Sequence, residues 1–124
     1  MLGSADVVCF IPTLDMDRAV AFYRTVLGAE PVDVNPYATV FVTDGTTLRV
    51  TAVDEMAPRP FTVLGWEVAD IIASCRLLAA AGVAFERYDG MTQDQDGIWT
   101  TPGGDRVAWF GDPDGNILSL SQHA

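Results

Sequence analysis

Leu14-Asp15-Met16-Asp17-Arg18-Ala19-Val20-Ala21-Phe22-Tyr23 is the stretch on which the fold turns. Asp15 stands where a helix N-cap should stand, because a carboxylate there can accept a backbone N–H that the first turn leaves unpaired. Behind it, Met16, Ala19, Val20, Tyr23, Val26 and Leu27 recur at helical spacing as one apolar stripe, and Gly28 supplies the stop. Upstream, Asp6-Val7-Val8-Cys9-Phe10-Ile11 reads as a buried strand. Downstream, three strand-like runs lie near residues 30–34, 37–43 and 46–53, the last two joined by Asp44-Gly45, a strong hairpin signal.

The same order begins again after Met56-Ala57-Pro58-Arg59-Pro60, which reads as a linker. Phe61 to Val68 is a predicted strand, Asp70 a second helix cap, and Ile71, Ile72, Cys75, Leu78 and Ala79 a second apolar stripe that runs to Gly82. Strands near 83–88, 105–110 and 117–121 complete the set, the last two connected by Asp112-Pro113-Asp114-Gly115-Asn116. Asp15 and Asp70 are 55 positions apart, as are Val8 and Val63. Residues 89–104 have no counterpart in the first half; this polar insertion carries Trp99 and is long enough to cover a site. The expectation is a single α+β domain spanning 1–124, made of two tandem βαβββ modules, 6–55 and 61–122, with the linker at 56–60.

Composition narrows the chemistry. Apolar residues make up 49% of the 124, enough for a core without disulfides or metals as staples. No apolar run is long enough to span a membrane, and the opening residues show no basic-then-apolar signal, so the cytoplasm is the expected compartment. All seven basic residues are arginine, which excludes Schiff-base and phosphate-loop lysine chemistry. His123 is the only histidine, and it stands beside the last residue, so no triad or metal site needing several imidazoles can be built from one chain. A net charge of −10 repels phosphate backbones, so nucleic acid is not an expected partner. Cys9 and Cys75 fall on apolar faces and are expected to be inert thiols. Asp112 to Asn116 begins like a calcium loop, yet its Gly comes too early and no Glu closes it, so turn chemistry accounts for it. Asp94, Asp96 and Asp112 read as solvated loop charges.

Leu14 to Tyr23 with Val26-Leu27-Gly28, and Trp109-Phe110-Gly111-Asp112-Pro113-Asp114-Gly115-Asn116, resemble the vicinal oxygen chelate superfamily; Gly65-Trp66-Glu67-Val68 before Asp70 is similar to its second strand-to-helix junction. That superfamily includes glyoxalase I, extradiol dioxygenases, fosfomycin-inactivating transferases and bleomycin-resistance proteins. The resemblance covers nearly the whole chain and implies the glyoxalase/bleomycin resistance/dioxygenase fold, in which two modules form a curved mixed sheet shaped as a cup. It also implies that any metal would sit at four matching positions, on the first and last strand of each module. These are Val8, Arg49, Val63 and Ser119, none of them a usual ligand, and a slip of one residue does not rescue the set. No metal and no cofactor are therefore expected.

Strand alternation sorts the remaining candidates by face. Val8 and Phe10 share the concave side with Arg49, with Val63 and Glu67, and with Ser119; hairpin pairing about Asp114 sets Trp109 beside Ser119, and the inserted segment brings Trp99. These eight are the predicted ligand-binding residues, while Trp66 belongs under the second helix. Arg49 either orients an anionic or carbonyl oxygen of a ligand or neutralises Glu67. Two functions compete. One is a metal-independent protein that sequesters a drug-like or planar small molecule, as a homodimer. The other is a glyoxalase- or dioxygenase-like lyase or isomerase, with Glu67 as general base and Arg49 stabilising an oxyanion. A scaffold without ligand is the third possibility.

Overall fold

Asp15 caps the first helix in the computed structural model, which describes all 124 residues: its carboxylate accepts the Arg18 N–H at 3.1 Å. Asp70 does the same for the second helix through the Ala73 N–H, also at 3.1 Å. Around these two caps the chain divides into two compact units, Met1–Ala57 and Pro58–Ala124.

The first unit holds β1 (Val8–Thr13), α1 (Met16–Leu27), β2 (Asp33–Val34), β3 (Ala38–Thr43) and β4 (Thr46–Ala52). Its sheet order is β1-β4-β3-β2, with β1 parallel to β4 and the remaining pairs antiparallel. Helix α1 packs on one face of this sheet, where Ile11, Ala19, Tyr23, Phe41, Leu48 and Val50 are almost fully buried. Asp44 and Gly45 both adopt positive φ, 44° and 79°, the two-residue turn whose twist suits a hairpin and which a side chain with a Cβ resists at the second position.

The second unit repeats the plan with β5 (Thr62–Glu67), α2 (Ile71–Ala80), β6 (Trp99–Thr100), β7 (Arg106–Gly111) and β8 (Ile117–Gln122), ordered β5-β8-β7-β6 with β5 parallel to β8. Ile71 and Cys75 of α2 are buried together with Ala108, Phe110, Leu118 and Leu120 of the sheet. Phe110 is the hub of this core, 5.6 Å from Phe85 and 6.4 Å from Trp66 between ring centroids. The fold is thus α+β with the βαβββ order in each unit, as the sequence predicts.

Three local expectations need correction. The first strand runs from Val8 to Thr13, two residues later than the 6–11 expected, because β1 is a sheet edge where Pro12 removes no ladder donor. The strand expected over 83–88 is interrupted. Phe85 bridges Phe110 and the Glu86 N–H donates to the Trp109 carbonyl at 2.7 Å; the chain then leaves the sheet and rejoins the same edge of β7 as Trp99–Thr100. The excursion is held by the Gln93 side chain, which accepts from the Tyr88 N–H and donates to the carbonyls of Glu86 and Gly97. Finally, Asp112 is buried, with its carboxylate accepting the N–H groups of Asp114 and Asn116 and the Asn116 side-chain amide. Asp94 is likewise engaged, accepting from the N–H groups of Asp96 and Ile98, and Asp96 pairs with Arg76 at 3.3 Å. No helix is long and apolar enough to cross a membrane.

Removing a fully buried hub should cost far more than trimming an exposed ring. Phe110→Ala is expected to lower unfolding stability by about 3–5 kcal/mol, whereas Tyr37→Ala, at a site 79% exposed, should stay within about 0.5 kcal/mol. Urea unfolding of both variants measures the contrast.

Candidate functional site

A strand shows alternate residues to opposite faces, so each sheet has one face under its helix and one left open by it. In the first unit the register sets Phe10 opposite Arg49 and Arg49 opposite Val40, which itself faces Asp33. One row across four strands therefore reads Phe10, Arg49, Val40, Asp33. The Arg49 guanidinium carbon lies 5.4 Å from the Phe10 ring centroid, a cation–π contact. Val8 stands one pleat away on the same face, opposite Thr47. An open groove of about 430 Å³ runs over this row, lined also by Asn35, Tyr37, Ala38 and Thr51.

In the second unit the corresponding row is Gly65, Ser119, Trp109, and the next is Glu67, Ser121, Val107, Trp99. Trp109 thus pairs with Ser119, and it stacks on Trp99 with centroids 6.3 Å apart and planes 30° off parallel. Tyr88 meets Trp109 edge-on at 5.5 Å. Val63, 43% exposed, falls at a β-bulge where β5 shifts register against β8 between Thr62 and Leu64, so the alternation expected to put it beside Gly65 and Glu67 is broken there. Trp66 points the other way, against Phe110 in the core.

Glu67 is the one carboxylate of the second row, and its oxygens are already committed. Ser121 Oγ donates to Oε2 at 2.9 Å and the His123 backbone N–H donates to Oε1 at 2.8 Å. The His123 ring lies 3.7 Å from Glu67 on one side and 3.7 Å from Asp105 on the other. These partners, led by the His123 N–H and the Ser121 hydroxyl, hold the Glu67 carboxyl below the usual range. Cys75 is inert by contrast: burial, with Asp96 and Asp94 adding to it, pushes its thiol up to about 11.

A profile of the Glyoxalase/Bleomycin resistance protein/Dioxygenase superfamily matches residues 6–120. The chain belongs to that superfamily. Solved structures agree on the fold. A glyoxalase/bleomycin resistance protein from Catenulispora acidiphila superposes with a TM-score of 0.74 at 22% identity, covering 98% of this chain and 100% of that one. Lactoylglutathione lyase from Agrobacterium tumefaciens gives 0.73 at 19% identity, over 96% and 93%. A genomically encoded fosfomycin resistance protein from Listeria monocytogenes gives 0.75 at 15% identity, over 98% and 94%. No curated protein matches the sequence significantly.

A divalent metal at the four positions that the superfamily resemblance implies does not fit the residues present. At the four matching positions Val8 and Val63 have no donor atom, Arg49 is a permanent cation seated over Phe10, and Ser119 offers a lone hydroxyl. No group of three or more His, Cys, Asp or Glu side chains is placed to hold a metal ion.

Sequence reasoning did not reach Tyr37, Asn35, Asp33, Tyr88, His123 or Ser121's bond to Glu67. Asn35-Pro36 was the available signal for the first three, since that dipeptide marks a turn, and the Asn35 carboxamide oxygen accepts the N–H groups of Tyr37 and Ala38 there.

The Glu67 bonds give a pH signature. A carboxyl whose folded pKa lies below its unfolded value, about 4.3, contributes stability above that pH and loses it as pH falls through the lower folded value. Wild type should therefore melt above Glu67→Gln at pH 7, and the gap should close as the pH is lowered through 4 and below. Melting temperatures of the two proteins across that range check it.

Proposed function

We propose that the protein binds a small, partly planar molecule, and does so without a metal ion. The observation that carries the reading is the make-up of the two open sheet faces. Each offers aromatic surface and isolated polar groups, Phe10 with Arg49 in one unit and Trp109 with Ser119 in the other, and neither offers a donor set for a divalent ion. Apolar walls with a few fixed polar groups are what small-molecule sites require, and the groove of about 430 Å³ beside Arg49 falls within their usual size. The superfamily match supports the reading at the level of fold, and one structural neighbour is a protein of resistance to a small molecule, fosfomycin.

The enzymatic alternative, with Glu67 as general base and Arg49 as oxyanion stabiliser, has weaker support. A general base works best with a pKa near the operating pH. Glu67 is shifted away from that range and already accepts two hydrogen bonds.

Elemental analysis of protein purified without an affinity tag should find no stoichiometric Zn, Ni, Fe or Mn; about one metal per chain surviving dialysis would overturn the reading. If a planar ligand stacks on Trp109, Trp109→Ala should weaken its binding by about 1–3 kcal/mol, read by calorimetry on a panel of planar compounds, while Trp66→Ala should chiefly lower the melting temperature. We also infer a homodimer. Strands β1 and β2 end one sheet and β5 and β6 the other, leaving backbone groups to be covered. Light scattering at micromolar concentration should return twice the 13.3 kDa chain mass, and a single-chain mass refutes it.

A further inference from the structure

Resting on the metal-free binding reading, we propose that the groove over β1, β4 and β3 takes a small planar carboxylate, with Arg49 as the anchor of its anionic end. Arg49 stands at one of the four positions that the superfamily resemblance assigns to metal ligands, so the sign of the recognition is reversed: the protein supplies the positive charge itself.

The surroundings of Arg49 carry this. The chain has 17 acidic residues against 7 arginines, yet no carboxylate lies within salt-bridge distance of Arg49. Other arginines find acceptors: Arg24 pairs with Glu30, Arg76 with Asp96, and Arg87 donates to the carbonyls of Asp94 and Gln95. Arg49 instead lies with its guanidinium carbon 5.4 Å from the Phe10 ring centroid, and no hydrogen bond or ion pair spends its side-chain N–H donors. That fork matches a carboxylate with two parallel hydrogen bonds.

The flanking rings set the rest of the ligand. Phe10, on the open face of the sheet, is 59% exposed, and Tyr37, in the turn that leads into β3, is 79% exposed. Both line the groove with Val40 and Ala38, so a flat, conjugated body is favoured over a branched one. Asp33 gives the groove a direction. It stands two strand spacings from Arg49 across Val40, and the Asn35 side-chain amide donates to it at 3.3 Å. A carboxylate is repelled from the Asp33 end and drawn to the Arg49 end, while a hydroxyl or amino group at the opposite pole of the ligand would find an acceptor in Asp33. The class is therefore a planar monocarboxylate with a hydrogen-bond donor at its far end.

The probes are 4-hydroxybenzoate, its neutral counterpart 4-hydroxybenzamide and its cationic relative tyramine, titrated calorimetrically into the full chain. The carboxylate is expected to bind at least roughly tenfold tighter than the amide or the amine, with affinity falling as salt rises. Arg49→Gln should lose that preference and Arg49→Lys should keep only part of it, both with an unchanged melting temperature because Arg49 is exposed. The assignment is overturned if 4-hydroxybenzoate fails to bind at millimolar concentration, if the amide or the amine matches it, or if Arg49→Gln binds it as well as wild type. Tight binding of the neutral or cationic probe alone sinks the anion assignment and leaves metal-free binding standing. One bound metal per chain sinks the reading beneath it.

Discussion

In each unit the first strand lies parallel beside the last, and that pairing decides what can meet on the open face. A parallel neighbour requires a crossover, which α1 and α2 supply, and a crossover helix must lie on one face of the sheet. The other face is then free of the unit's own helix, and the register of β1 on β4 or of β5 on β8 fixes which side chains share a row there. A slip of one residue would turn every one of them inward. Phe10 and Arg49 come together from positions 39 residues apart because Ile11, Leu48 and Val50 bury the opposite face and hold the register.

This explains what could be read from the sequence. Caps act over three residues, so Asp15 and Asp70 were legible, and a two-residue turn is written in its own dipeptide, so Asp44-Gly45 was too. Pairing of Trp109 with Ser119 followed from counting back across the hairpin loop, since antiparallel register is set by the turn. The interrupted strand was not legible. Nothing in residues 83–88 announces that pairing lapses after Glu86 and resumes at Trp99; that outcome depends on Gln93 satisfying three backbone groups at once, a tertiary event with no periodic trace. The burial of Asp112 was missed for a related reason: a carboxylate that caps its own turn looks, in sequence, like any loop acid.

The candidate site divides along the same line. Residues on regular stretches of strand, Val8, Phe10, Arg49, Glu67 and Ser119, could be given a face by alternation, whereas Val63 falls at the bulge in β5. Those on turns, on the excursion or at the last strand's end could not, and Tyr37, Tyr88 and His123 supply much of the chemistry around Arg49, Trp109 and Glu67. Alternation assigns a side but no partner. Glu67 shows the difference: its face was predictable, whereas its hydrogen bonds from Ser121 and the His123 N–H, which make it a poor base, were not.

Comparing the two rows position by position separates fold from chemistry. Phe10 and Gly65 are equivalent, as are Arg49 and Ser119, and Val40 and Trp109, since each trio is aligned by the same three strands. In the first unit the aromatic ring stands on the edge strand and the cation sits upon it. In the second the ring has moved two strands inward, and the edge position is stripped to glycine. A Cβ on Gly65 would fall 2.6 Å from Ser119 Oγ, so the bare backbone leaves room for the hydroxyl in its present rotamer, which a side chain there would force to turn away. Each row keeps an aromatic next to a polar group, but in one the polar group is a fixed charge and in the other a neutral hydroxyl. The scaffold dictates where two neighbours stand, and leaves open whether they hold an anion, stack on a neutral ring, or would have bound a metal. Membership of the superfamily therefore fixes the rows, and only the residues in them carry the specificity.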